Sequence, residues 1–250
     1  MAKRKLLFIG LLYCISVAGM GQANLDGKKE ITKPDTLVNP HLAVYKKARA
    51  LGDNSTAIHS LHYLLATEPK AANYADTLAY LYLDAGAYPQ AYRLAESILK
   101  QNSNDNLALE IKGLCAIQLQ QPVVGLESYS TLYDRTAQVS YGFRKLQLQY
   151  GLRRLGETVA TAEQLLTKLP AQDKTEIAVE KADNKSSQKV AMKAGILYLQ
   201  GLSLEALKEK DKAVTALQAA LQINPDYEMA RQKLNDLLAA TKVKPAKSKG

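Results

Sequence analysis

ANYADTLAYLYLDAGAYPQAYRLAESILKQNSND, residues 72–105, and NLALEIKGLCAIQLQQPVVGLESYSTLYDRTAQV, residues 106–139, carry the pattern that decides the fold. Set one beneath the other, they place Ala91 and Gly125 in one column, and Ala57 falls in that column 34 residues earlier. The flanking apolar residues recur at i, i+3, i+4 and i+7, the period of a helix with one buried face. Two antiparallel helices joined by a short turn approach closely only where one side chain at the crossing is nearly absent. A small residue recurring once per unit therefore marks one helix hairpin per 34 residues.

The remaining columns agree. Repeat one, 38–71, reads Val44, Tyr45 and Ala48, then Gly52-Asp53-Asn54 in the turn, then Ala57, Leu61 and Leu64, closing on Pro69. Repeat two, 72–105, has Ala75, Leu78, Ala79, Tyr82, Gly86, Ala91, Ala95 and Ile98, with polar residues from Asn102 to Asn104 where the proline stood. Repeat three, 106–139, has Leu109, Gly113, Ala116, Gly125, Tyr129 and Leu132. Repeat four begins near 140 with Phe143, Leu146 and Tyr150, and its second helix is looser: Gly156 stands about two residues late and Val159 takes the small position. Repeat five, 194–227, restores the pattern with Leu197, Gly201, Leu204, Ala213, Leu217, Ala220 and Asn224-Pro225-Asp226.

Period and pattern together resemble the tetratricopeptide repeat (TPR) family, whose unit is a helix-turn-helix of this length. The resemblance implies an all-α, right-handed α-solenoid of antiparallel helix pairs, about five repeats plus a capping helix. Departures are the absence of Trp, Lys112 and Gln147 at places usually apolar or small, and the turn of repeat four. With 47% apolar residues, only two Phe and no Trp, the interior is expected to be built from Leu, Ala and Tyr. Residues 227–240, with Met229, Leu234, Leu237 and Leu238 on one stripe, read as the helix that closes the open end of the stack.

Outside the repeats, Lys3, Arg4 and Lys5 precede an apolar run from Leu6 to Val17 and the small residues Gly19, Gly21 and Ala23. That order is expected of a cleaved secretory signal over residues 1–23, followed by a linker over 24–37. The run is shorter than the roughly 20 residues that cross a bilayer as a helix. Tyr13 before Cys14 argues against a lipoprotein processing site. Loss of the signal leaves Cys115 alone, so no intramolecular disulfide forms; its apolar neighbours make it a small buried hydrophobe. Net charge is +9, but the first 23 residues hold three basic and no acidic side chains, and four further charges are Lys242, Lys244, Lys247 and Lys249. The folded body is therefore nearly neutral, unlike a nucleic-acid binder with a basic face. The Lys-rich tail, 241–250, is expected to be a solvated disordered end, with weak attraction to an anionic surface as the alternative. Residues 171–190 interrupt the period with Lys, Asp, Glu, Gln and Ser, a composition that predicts a mobile loop or a frayed helical extension between repeats 38–170 and 191–240.

No residues call for a cofactor, a metal or catalysis. His59 and His62 lie three apart on one helix without the third ligand a metal needs. Neither a nucleophile elbow nor a phosphate-cradling glycine loop is present. What remains is recognition. The resemblance places ligand contacts at the second, fifth, ninth and twelfth residues of each first helix: Asn39, Leu42, Lys46 and Arg49; Asn73, Asp76, Tyr80 and Leu83; Leu107, Glu110, Leu114 and Ile117; Tyr141, Arg144 and Leu148. Tyr80, Leu83, Leu114, Ile117 and Tyr141 are expected to form an apolar, aromatic strip, flanked by Lys46, Arg49 and Arg144, suited to a peptide with apolar anchors and some acidic character. The clamp used by the family's chaperone-tail-binding branch is absent, since Leu42, Lys46, Leu107 and Ile111 stand at its places. The expected function is a non-enzymatic adaptor or scaffold for a protein or peptide partner, in a bacterial periplasm or cell envelope. The alternative is a structural envelope component that self-associates or adheres through its tail.

Overall fold

The computed structural model describes residues 39–170, 173–181 and 186–242. The expected signal, the linker and residues 243–250 of the tail lie outside them. The chain divides into two compact units at residue 141/142.

The first unit is a run of helix pairs: α1 (Pro40–Ala50) with α2 (Asn54–Thr67), α3 (Ala75–Asp84) with α4 (Tyr88–Gln101), and α5 (Asn106–Gln118) with α6 (Pro122–Thr136). A 3-10 helix, Pro69–Tyr74, leads into α3, and the first residues of α7 (Val139–Gly151) end the unit. Local chemistry sets the boundaries. Asp53 and Asp105 cap α2 and α5 by accepting hydrogen bonds from the amides of Thr56 (3.0 Å) and Ala108 (2.9 Å). Pro40, Pro89 and Pro122 occupy first-turn positions, where no amide is needed. The small column behaves as expected: Ala57 and Ala91 are fully buried, and a Cβ on Gly125 would stand 2.9 Å from Cγ1 of Ile117. Repeats one and two share a core of Ala48, Ala57, Leu61, Leu64, Ala71, Leu78 and Leu81. Ala79, Ala91, Ala95, Ala108, Ile111 and Cys115 form the next one. Each sealed Leu contributes roughly 1.5–3 kcal/mol of transfer free energy. Burial pushes the Cys115 thiol up to about 11, which leaves it an inert hydrophobe.

The turn inside each hairpin places one residue in the left-handed region: Gly52 (φ 72°), Gly86 (71°), Gln120 (59°), Arg153 (61°) and Lys208 (67°). The first three are 34 residues apart, and Arg153 follows after 33. Repeat four is therefore one residue early, a correction to the late turn expected at Gly156. Gly156 lies inside α8 (Leu155–Lys168), where a Cβ would meet nothing within 4 Å. Thr158, fully buried, takes the small column in place of Val159, which is only half-buried.

The second unit holds the rest of α7, then α8, strands β1 (Glu176–Glu180) and β2 (Ser187–Ala191), and α9 (Met192–Ala206), α10 (Lys210–Ile223) and α11 (Glu228–Lys242). Gly201 and Ala213 meet at the crossing of α9 and α10, with the Leu217 side chain 2.9 Å from where a Gly201 Cβ would be. The strands overturn the loop or frayed helix expected over 171–190. They pair antiparallel, Ile177 opposite Val190, and both side chains are buried. Ile177 fills the space a Cβ would need at Gly195 of α9. Side-chain amides fasten β2 to the α10–α11 turn: Asn224 accepts from the Ala191 amide (2.8 Å), and Gln188 donates to the Asp226 carbonyl (3.1 Å) and accepts from the Glu228 amide (3.3 Å). The closing helix is present as α11 and packs on α10, with Leu237 buried. Leu238, assigned to its buried stripe, is 41% exposed. Among the described residues no helix is long and apolar enough to cross a membrane.

Candidate functional site

Residues three, four or seven apart share one face of a helix, so Asp76, Tyr80 and Leu83 form one row on α3, and Glu110, Leu114 and Ile117 another on α5. The structure uses these rows unevenly. Tyr80 and Leu83 are half-buried against the α3–α4–α5 core, each keeping part of its surface open. Leu114 is half-buried as well, whereas Ile117 is committed to Gly125 across its own hairpin, so packing is its first task. Tyr141 tilts against Tyr129 with ring centroids 6.2 Å apart, and its hydroxyl donates to Glu110 (2.8 Å). Burial, and then the Glu110 carboxylate, hold the Tyr141 phenol far above its ordinary pKa, so it stays a donor. Glu110 and Tyr141 thus brace each other. The family pattern puts both residues on this face, and nothing in the sequence marks their bond.

The expected cationic flank is not assembled in the first unit. Lys46 is exposed on α1. Arg49 is tied at the hairpin turn to the Asn54 side chain (2.8 Å), which in turn donates to Asp84 (2.9 Å). Arg144 belongs to the second unit, where it is half-buried on α7 and Leu148 is fully buried. At the N-terminal end, Asn39 donates to Glu68 (3.3 Å) and Leu42 packs on the first core. Asn73 is exposed in the 3-10 helix, and Leu107 is 37% exposed. The charges that lie on the α3 and α5 rows are the carboxylates of Asp76 and Glu110, opposite in sign to the expected flank. Asp76 is half-buried, and its Oδ1 is sealed from solvent with no hydrogen-bond partner. Burial, and then the neighbouring Asp105 carboxylate, raise its pKa. His62 meets the Tyr82 hydroxyl (2.5 Å) and His41 stacks on Tyr63, and no cluster that could hold a metal exists among the described residues.

The tetratricopeptide-repeat family matches the chain twice, over residues 77–139 and over 194–227, the latter the bounds of repeat five. The chain is a tetratricopeptide-repeat protein. Among curated protein sequences none matches this TPR chain. Among solved structures it is similar to MamA, at 14% identity with a TM-score of 0.57, over 83% of this chain and 95% of that one. It is also similar to YrrB, described as a TPR protein with an unusual peptide-binding site, at 16% identity with a TM-score of 0.59, over 82% of this chain and 91% of that one. At such identities the likeness is one of fold, and it agrees with an all-α TPR array.

Proposed function

We propose that this TPR protein is a non-enzymatic protein-interaction scaffold that takes a peptide segment against the α3 and α5 rows. The supporting observation is the braced aromatic at one end of that face: Tyr141, fixed by Tyr129 and Glu110, presents a ring that loses little entropy on binding. Tyr80 offers a second half-open ring on α3. YrrB, which shares the fold, is described as binding a peptide, which favours the same use here. We further propose that the chain is exported to a periplasm or cell envelope. The support is the order of Lys3-Arg4-Lys5, the apolar run to Val17 and the small residues up to Ala23.

One purification tests both. Protein recovered from its host with its partner should begin after residue 21 or 23, and a retained Met1 would sink export. With the recovered partner, replacing Tyr80 and Tyr141 together by Ala should weaken binding by about 2 kcal/mol or more while helical content is kept. Unchanged affinity would move the site off this face.

A further inference from the structure

One lysine in the first unit already shows how this chain binds a cation. Lys112 pairs with Glu96 (3.2 Å) and lies over the Tyr92 ring, 5.6 Å from its centroid. Tyr92 and Glu96 stand one turn apart on α4, so carboxylate and aromatic face grip the ammonium together. Asp76 and Tyr80 set the same two groups one turn apart on α3 in the reverse order, on the row assigned to the ligand. No cation among the described residues pairs with Asp76, and its Oδ1 has no donor at all. A buried carboxylate oxygen left without a partner carries the full cost of its desolvation. Glu110, the residue 34 positions on, has its donor in Tyr141; the residue matching Tyr141 one repeat earlier is Ala108 after the shift of repeat four, or Leu107 by the plain period, and neither has a donor. Oδ1 is closed to solvent, so what a ligand can meet is the open part of this half-buried carboxylate, which no cation of the described fold neutralises.

We propose that Asp76 and Tyr80 form a receptor for a lysine or arginine of the bound peptide, the cation on the Asp76 carboxylate and the aliphatic stem over the Tyr80 ring. The inference rests on the peptide-binding reading of this face and replaces the acidic character expected of the ligand with a basic one. Charge complementarity supports it: Asp76 and Glu110 lie on the α3 and α5 rows and Asp105 lies beside Asp76, while Arg49 is held at its own turn. The part-open Tyr80 ring suits the methylenes of a long cationic side chain better than a compact polar one.

A display library of random dodecapeptides panned on the full chain tests this, with recovered peptides resynthesised and titrated. Peptides that lose affinity on the Tyr80→Ala variant should carry Lys or Arg. Exchanging that residue for norleucine should weaken binding to the parent about tenfold or more, and should make little difference on Asp76→Asn. The peptide exchange on the parent protein stands even if Asp76→Asn misfolds. Peptides that need Tyr80 but ignore both exchanges would overturn the cation receptor and leave the peptide-binding face intact. Peptides indifferent to Tyr80, or no binders at all, would overturn the face and the receptor with it.

Discussion

The regular repeats between residues 75 and 136 and the segment around the hairpin, 173–204, close their packing by opposite means. In the first, the glycines inside helices are met from within the period: Gly125 by Ile117, and Gly113 by Ser128 and Tyr129. In the second, Gly195 is met by Ile177, a residue no repeat contains. Around the hairpin the amides of Gln188 and Asn224 are tied to backbone groups of the α10–α11 turn and of β2, while one carboxylate oxygen stays unpartnered in each region, Oδ2 of Asp173 and Oδ1 of Asp76. Side chains of the inserted segment thus serve the fold. The periodic segment holds its backbone by repetition and leaves the Tyr80 and Leu83 side chains of α3 part-open.

The sharpest way to break the comparison is to remove the hairpin's anchor. Ile177→Asp puts a carboxylate where Ile177 is 8% exposed and fills the space beside Gly195. The expected loss is about 3 kcal/mol or more, since the charge would lie between Val190 and Gly195, neither of which can pair with it. It should appear in chemical denaturation of the full chain. A variant within about 0.5 kcal/mol of the parent would show that the hairpin merely rests on α9.

The matching test in the periodic segment is Ala91→Leu. Ala91 is fully buried where α3 and α4 cross, so the added methylenes would force the helices apart at a cost of about 1–3 kcal/mol. The smaller effect is expected because helices can shift by fractions of an ångström, while an unpaired charge has no such escape. A melting temperature equal to or above the parent's would mean that the small column does not mark the crossing.

Why one segment was legible in the sequence and the other was not follows from the same contrast. Ala57, Ala91, Gly125 and Ala213 report a crossing by their size alone, and Asp53 and Asp105 report helix starts by their capping chemistry. The hairpin depends on Ile177 and Val190 meeting across two strands, and a composition dominated by Lys, Asp, Glu and Ser hides two buried side chains. The early turn of repeat four was hidden too, because Arg153 carries no mark of the left-handed conformation that Gly52 and Gly86 announce. At the site, the positions on α3 and α5 could be read from the family pattern. Their charge balance could not, because Arg49 is withdrawn by Asn54, which is itself held by Asp84 thirty residues on.

The smallest effect probes the open side chain itself. Burial, and then Asp105, make the folded chain hold the Asp76 proton more tightly than the unfolded chain does. Between the unfolded and folded pKa values the folded state therefore binds more protons, and its stability falls as pH rises through that window. Asn at this position does not titrate. The stability of Asp76→Asn relative to the parent should accordingly rise from about pH 3 to about pH 7. The rise should stay below about 1 kcal/mol, because Asp76 is only half-buried and solvent screens it. Denaturation midpoints of the two proteins across that range measure the slope, which is unaffected by any constant offset from the substitution. A flat or falling difference would mean that the carboxylate finds a partner in solution, and the contrast with the fully tied hairpin amides would vanish. A rise that disappears when a lysine-bearing peptide is added would show the open part of the same carboxylate being held in its charged form from outside.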